Sequence, residues 1–321
     1  MSRGESITER RDHRPWMDRP WLTHAALLLV QIAFASQAVE AKVAMMPRAA
    51  GGEEIFPVAL AMVRMIGGAL FFQILARTRA SQTFPISRAD HARLLGVAVL
   101  GIVLNLVFFL FGLRWSTPFS VSLMGATIPV FTAILAVLFR KETFVWRTAV
   151  GLVLAASGVV FLTGVGSLAG HLDVGIVFVT LNSLSYAAYV VLSRDLVLRL
   201  GALRVVAWAF TYGALLFAPY GLGPTIAELA RLTPRGWAFL AYIVAVPTIV
   251  AYLLNAWALG RSKATVVTIY IVLQPLFAAI LARLQLGHAF APRAAGAGLL
   301  IVAGLAVVAF RKPALSAAPS R

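Results

Sequence analysis

The chain has 321 residues, 60% of them hydrophobic and 12% charged, with a mean hydropathy of +0.88. So little polar surface cannot close a soluble globule of this length, which places the chain in lipid. The absence of cysteine excludes disulfides, thiolate metal sites and cysteine nucleophiles, and the net charge of +16 is explained by loop asymmetry rather than by nucleic acid.

Residues 1–19 carry five Arg and four acidic residues without apolar periodicity and read as a cytoplasmic polar tail. Uncharged apolar runs follow at 20–39, 94–113, 115–139, 148–172, 174–193, 205–227, 236–260, 264–282 and 294–310. A tenth run, 55–76, is interrupted only by Arg64. Each is close to the ~17–25 residues a helix needs to cross roughly 30 Å of hydrocarbon, where only helices or closed barrels satisfy the backbone. Ala33-Phe34-Ala35 resembles a signal-peptidase site, but the apolar run continues past it, so the first run is read as a retained helix.

Placing the N-terminus in the cytoplasm puts 20 of the 28 Lys and Arg on cytoplasmic segments, as the positive-inside rule requires. Both termini are then cytoplasmic. Residues 113–158 return 146 positions later as 259–304, with 15 of 46 positions identical, including Pro129/Pro275, Arg147/Arg293 and Gly158/Gly304. With this orientation the repeats are inverted. The expected fold is an all-α membrane protein of ten transmembrane helices. It forms two inverted five-helix repeats, 20–163 and 172–311, with a second cytoplasmic tail over 312–321. Such an arrangement places the binding site near the midplane between the halves.

Arg64 lies nine residues into its run, roughly 13 Å deep at 1.5 Å per residue. It must face protein or water, either as an anchor for a substrate carboxylate or a gate, or bonded to helix carbonyls or Glu40. Pro129 and Pro275 each remove a backbone donor in mid-membrane and are the hinge candidates. Uncharged polar groups at middle depth include Gln31, Asn105, Asn182, Tyr186, Tyr252, Asn255 and Gln274, each of which needs a neighbouring helix or a ligand as partner. Arg64, Asn182, Tyr186 and Gln274 lead the substrate-binding candidates, followed by Gln31, Asn105 and Tyr252. The seven Trp fall near span ends, as an interfacial belt would place them, and the span glycines read as close helix contacts.

The run from Gly112-Leu113 through Pro129 to Lys141-Glu142, and its second version from Ala258-Leu259 through Pro275 to Gly287-His288, resemble the EamA-type members of the drug/metabolite transporter superfamily. Lys42, Arg64 and the stretch Tyr186–Arg194 also match that pattern, whereas His288 and Phe34 depart from it. The resemblance implies ten helices in two inverted repeats, and export of amino acids or other small metabolites across the bacterial inner membrane. HExxH, GxSxG and Walker signatures are absent and the five His are scattered, so no enzyme activity, metal or cofactor is expected; a membrane enzyme and a non-transporting sensor or structural subunit are the rival classes. The expected partners are a small-molecule substrate and the bilayer, with no nucleic acid, and the expected state is a monomer. Eleven of the twelve acidic residues fall in tails or loops, leaving only Glu40 near a span edge, so facilitated diffusion or exchange is expected rather than proton antiport.

Overall fold

In a computed structural model of the chain, residues 20–78, 85–116, 118–163 and 174–286 are described, with scattered positions between 296 and 307. Among the described residues there are helices and no strands. In order they are α1 (Pro20–Met45), α2 (Pro57–Thr78), α3 (Arg88–Trp115), α4 (Pro118–Gly125), α5 (Ile128–Leu138), α6 (Trp146–Thr163), α7 (Val174–Leu200), α8 (Ala202–Leu229), α9 (Pro234–Leu259), α10 (Ala264–Ile269) and α11 (Gln274–Leu286). Five stretches, Trp21–Met45, Pro57–Thr78, Arg88–Trp115, Ala202–Leu229 and Pro234–Leu259, are long and apolar enough to cross a membrane. Ile128–Leu138 and Ala264–Ala278 are shorter apolar helices. The two tails, and the positions of His171, His288 and Gly298, lie outside the described residues.

Charges fence the apolar runs, but caps set where the helices start. α3 begins six residues ahead of its apolar run because the Ser87 hydroxyl accepts the Asp90 N–H, and α9 begins where Thr233 accepts the Gly236 N–H. Pro57 and Pro234 open α2 and α9, where a missing donor costs nothing. Gly201, at φ 84°, is the one residue between α7 and α8, and its left-handed backbone lets the chain reverse there.

The polarity is inside out. Leu70, Ile74, Leu215 and Tyr220 are exposed, whereas Arg64, Gln31, Asn105, Asn182 and Thr248 are buried. An apolar exterior around a polar interior is what lipid selects, and together with the apolar helices it identifies a multi-pass membrane protein.

Two departures from regular helix bear on function. First, α3 and α9 each contain one wide π-turn, Val99–Leu104 and Ala245–Val250, which lie 146 residues apart. That is the offset of the sequence repeat. Second, the apolar run 115–139 is not one helix: it breaks at Ala126-Thr127 between α4 and α5. Its counterpart, 264–282, passes through the 3-10 turn Tyr270–Leu273 between α10 and α11. Pro129 and Pro275 are each the second residue of the helix that restarts, where proline is tolerated, so they mark breaks rather than kinks.

Polar contacts tie the halves together at the loops. Arg199 donates to Asp90 at 2.7 Å, and Thr233 Oγ1 donates to Glu53 at 2.7 Å. Lys141 pairs with Asp195, and Glu142 accepts both the Thr265 hydroxyl and its N–H; within the second half, Arg194 Nε donates to the Ser262 carbonyl at 2.9 Å. Within the first half, Lys42 caps the end of α3 by donating to the carbonyls of Leu113, Arg114 and Ser116.

Candidate functional site

α1, α2, α3 and the α4–α5 break of the first half, with α7, α9 and the α10–α11 break of the second, enclose a cavity of about 60 Å³. Six of the seven residues singled out for binding line it: Arg64, Asn105, Asn182, Tyr186, Tyr252 and Gln274. The seventh, Gln31, stands behind Gln274 and accepts its side-chain N–H at 2.8 Å. Residues up to 243 positions apart in the chain thus converge on one place.

The π-turns explain how the polar groups are held. Widening the turn displaces backbone carbonyls from their helical partners and exposes them sideways. In α3, Leu100 O accepts the Ser185 hydroxyl at 2.7 Å and Gly101 O accepts the Tyr252 hydroxyl at 3.4 Å. Just beyond the turn, Asn105 donates to the Tyr252 oxygen at 2.9 Å and accepts from Asn182 at both its backbone and its side-chain oxygen. One network therefore runs from α3 to α7 and α9. Gly101 permits it: a Cβ there would lie 2.0 Å from the Tyr189 ring, so α3 and α7 approach closely only because the position is glycine.

In α9 the π-turn contains Pro247, which supplies no N–H. Thr248 Oγ1 donates to Ile243 O at 2.8 Å, giving that carbonyl a partner, and accepts Arg64 Nε at 2.8 Å. Arg64 is almost fully buried, with Nη1 unbonded, and it joins no ion pair among the described residues. The partner that holds it is thus a hydroxyl rather than a helix carbonyl or Glu40. Gln37, also buried on the cavity wall, leaves its Oε1 without a partner. Both residues line the same space.

The remaining wall is apolar and aromatic. Phe34 meets the Tyr252 ring edge-on at 6.0 Å, and Leu106, Phe109, Val121, Ile128 and Ile271 form most of the rest, with Ser122 the polar exception. Pro129 and Pro275 are buried beside the wall while their neighbours Ile128 and Gln274 form part of it, so both helix restarts open on the cavity. Among the described residues no group of three or more His, Asp or Glu is placed to hold a metal. Trp208 meets His91 edge-on at 5.0 Å, and His91 hydrogen bonds the Tyr212 hydroxyl.

Sequence reasoning missed Gln37 and Thr248. Gln37 stands three residues after Phe34, one helical turn further along the same face. Thr248 follows a proline inside an apolar run, a position from which a hydroxyl can reach the carbonyl the proline leaves bare.

The chain is 25% identical over 286 residues to an "Uncharacterized transporter" of Archaeoglobus fulgidus, covering 88% of this chain and 96% of the relative. It is 27% identical over 246 residues to the "Uncharacterized transporter YdfC" of Bacillus subtilis, covering 74% of this chain and 77% of that one. A solved structure titled "Crystal structure of protein" has the same fold, with a TM-score of 0.65 at 16% identity, covering 89% of this chain and 94% of its own. The model of the EamA-like transporter family matches twice, at residues 21–164 and 173–310, and the chain therefore belongs to the EamA-like transporter family.

Proposed function

We propose that the protein is a secondary transporter, an exporter of small metabolites across the inner membrane, which binds its cargo in the cavity between the two repeats and works by alternating access. The observation that carries this reading is the convergence of polar groups from both repeats on one small space: the buried Arg64 and Asn105 from the first, and the buried Asn182, Tyr186 and Tyr252 with the half-buried Gln274 from the second. An ionisable side chain such as Arg64 within a membrane span is costly and marks a substrate pathway. A site shared by two repeats is emptied or exposed when one repeat rocks against the other.

The loop contacts support the alternation. With both termini cytoplasmic, Asp90–Arg199 and Lys141–Asp195 lie on the cytoplasmic side and Glu53–Thr233 lies outside. Closed contacts on both sides accompany a cavity of about 60 Å³, far below the ~300–1,000 Å³ of a typical ligand pocket. The halves must part for cargo to enter. Among the described residues the lining contains no Asp, Glu or His to carry a proton, which favours exchange or facilitated diffusion over proton antiport.

Flux into proteoliposomes tests both points. Counterflow of a bound metabolite is expected to persist with pH and voltage gradients collapsed by ionophores, and to vanish in Arg64→Ala while the variant remains monodisperse. Arg64→Lys is expected to restore it partly, since a point charge replaces a planar fork. Counterflow unaffected by Arg64→Ala, or dependent on an imposed pH gradient, would overturn the reading.

A further inference from the structure

Two carboxylates of the first repeat grip the second repeat at the two ends of α9. Between α1 and α2, Glu53 Oε1 accepts the Thr233 hydroxyl at 2.7 Å, and Thr233 in turn caps α9 by accepting the Gly236 N–H at 3.1 Å. Glu53 is buried there, and a Cβ on Gly236 would stand 2.9 Å from its Oε2, so the carboxylate lies against the first, positive turn of α9. Past the other end of α9, Glu142 from the α5–α6 loop accepts the Thr265 hydroxyl at 2.7 Å and its N–H at 3.3 Å. The 26 residues of α9 separate the two grips by roughly 39 Å at 1.5 Å per residue. Thr248 stands 15 residues after Thr233 and 17 before Thr265. It lies in the π-turn of α9 and holds Arg64 of α2, and Tyr252, one turn further on, lines the cavity. The first repeat thus holds α9 near both ends and at its middle.

We propose that Glu53 and Glu142 are alternate latches of the cavity, a device that rests on the transporter reading above. Release of Glu53 from Thr233 opens the cavity at the outer end of α9 while Glu142 keeps the inner end shut, and release of Glu142 from Thr265 does the reverse. A helix held at its middle and tilted there lifts one end while the other stays seated, which is what alternation requires. The chemistry suits a latch. A carboxylate accepting a hydroxyl at 2.7 Å makes a charge-assisted bond, stronger than a neutral one. Glu53 and Thr265 are buried, so parting either pair strands a buried polar group until water reaches it. The ion pair Lys141–Asp195 is a weaker tie, because its side chains are 39% and 47% exposed and water competes for both.

The chain has no cysteine, so a single Gly125→Cys substitution in the full-length protein reports on the cavity. Gly125 lines it, and a Cβ there would meet nothing closer than Gln274 Oε1 at 3.7 Å. The reaction of that thiol with a small membrane-impermeant thiosulfonate is timed from outside in intact cells and from inside in inverted vesicles. In this parent, labelling is expected to be slow from both sides. Thr233→Val is expected to speed it at least about tenfold from outside only, and Thr265→Val by as much from inside only, since each strands a buried hydrogen-bonding group. Gly236→Ala crowds Glu53 without removing it, and Glu142→Ala removes the inner acceptor; these are expected to act as Thr233→Val and Thr265→Val do, by other routes. Thr233→Ser and Thr265→Ser keep the hydroxyl and are expected to label as the parent does. Asp195→Asn is expected to change neither rate. Acceleration from both sides by a single variant, no acceleration in any, or an equal effect of Asp195→Asn overturns the assignment. Counterflow keeps the two claims apart. If labelling shifts to opposite sides while counterflow is unaffected by Arg64→Ala, the transporter reading fails and the latches stand. If Arg64→Ala abolishes counterflow and labelling does not shift, the latches fail and that reading stands.

Discussion

Thr248 shows how much one hydroxyl does in an apolar bundle. It donates to the Ile243 carbonyl and accepts from Arg64 Nε, so a proline-interrupted turn and a buried cation share one oxygen. Replacing it by valine keeps the volume and strands both partners. A buried group left without its hydrogen bond costs about 1–3 kcal/mol. Thr248→Val is therefore expected to lower the melting temperature in detergent and to weaken ligand binding about tenfold, because Arg64 loses the contact that aims it. Thr248→Ser retains the oxygen and is expected to behave like the wild type in both measurements. An unchanged melt and unchanged affinity in Thr248→Val would show that Arg64 is positioned by something else. Arg64, Asn105 and Asn182 were legible in the sequence because a guanidinium or amide in a long apolar run needs a partner that is not lipid. Thr248 was not, since a threonine in a membrane helix ordinarily bonds its own backbone and only the fold shows that this one also receives an arginine.

At the scale of the helix, the π-turns and the broken helices decide where polar groups can gather. Gly101 in the π-turn of α3 and Gly125 at the end of α4 both border this region, but their surroundings differ. A Cβ at Gly101 would press into the Tyr189 ring at 2.0 Å, and one at Gly125 would find ordinary contact distances of 3.7 and 3.9 Å. Gly101→Ala is expected to cost about 1–3 kcal/mol through overpacking, read as a lower melting temperature, while Gly125→Ala folds normally. A normal melt for Gly101→Ala would mean that α3 and α7 can part without penalty. The two proline breaks were visible in advance because proline cannot continue a helical ladder. The apolar run 115–139 nevertheless read as one span, since Ala126 and Thr127 do not interrupt hydropathy and a break needs only backbone partners. The π-turns left still less trace. Widening one turn changes which carbonyl a donor reaches and leaves the composition of the helix untouched.

Across the whole molecule, the ties between repeats sit in the loops and the polar network sits between them, an arrangement that depends on which loops share a side. Alkaline-phosphatase fusions after Leu222 and Gly170 are expected to be active, and fusions after Arg79, Arg199 and Lys312 inactive, as the distribution of Lys and Arg requires. Activity after Lys312 would refute either the ten-helix count or the orientation. The doubled family match and the common offset of 146 residues show that the chain is a duplication, which the repeated proline and glycine positions already made legible. The matching π-turns add an order of events. A π-turn accommodates one extra residue in a helix, and two separate insertions at the same register are far less economical than one insertion copied. The wide turn was therefore present in the half-length ancestor before its gene was duplicated. One half does not enclose the cavity by itself, because Asn105 and Arg64 come from one half and Asn182, Tyr186 and Tyr252 from the other. In the present chain neither half walls the interior alone, so every polar group in it answers to a partner from the other copy.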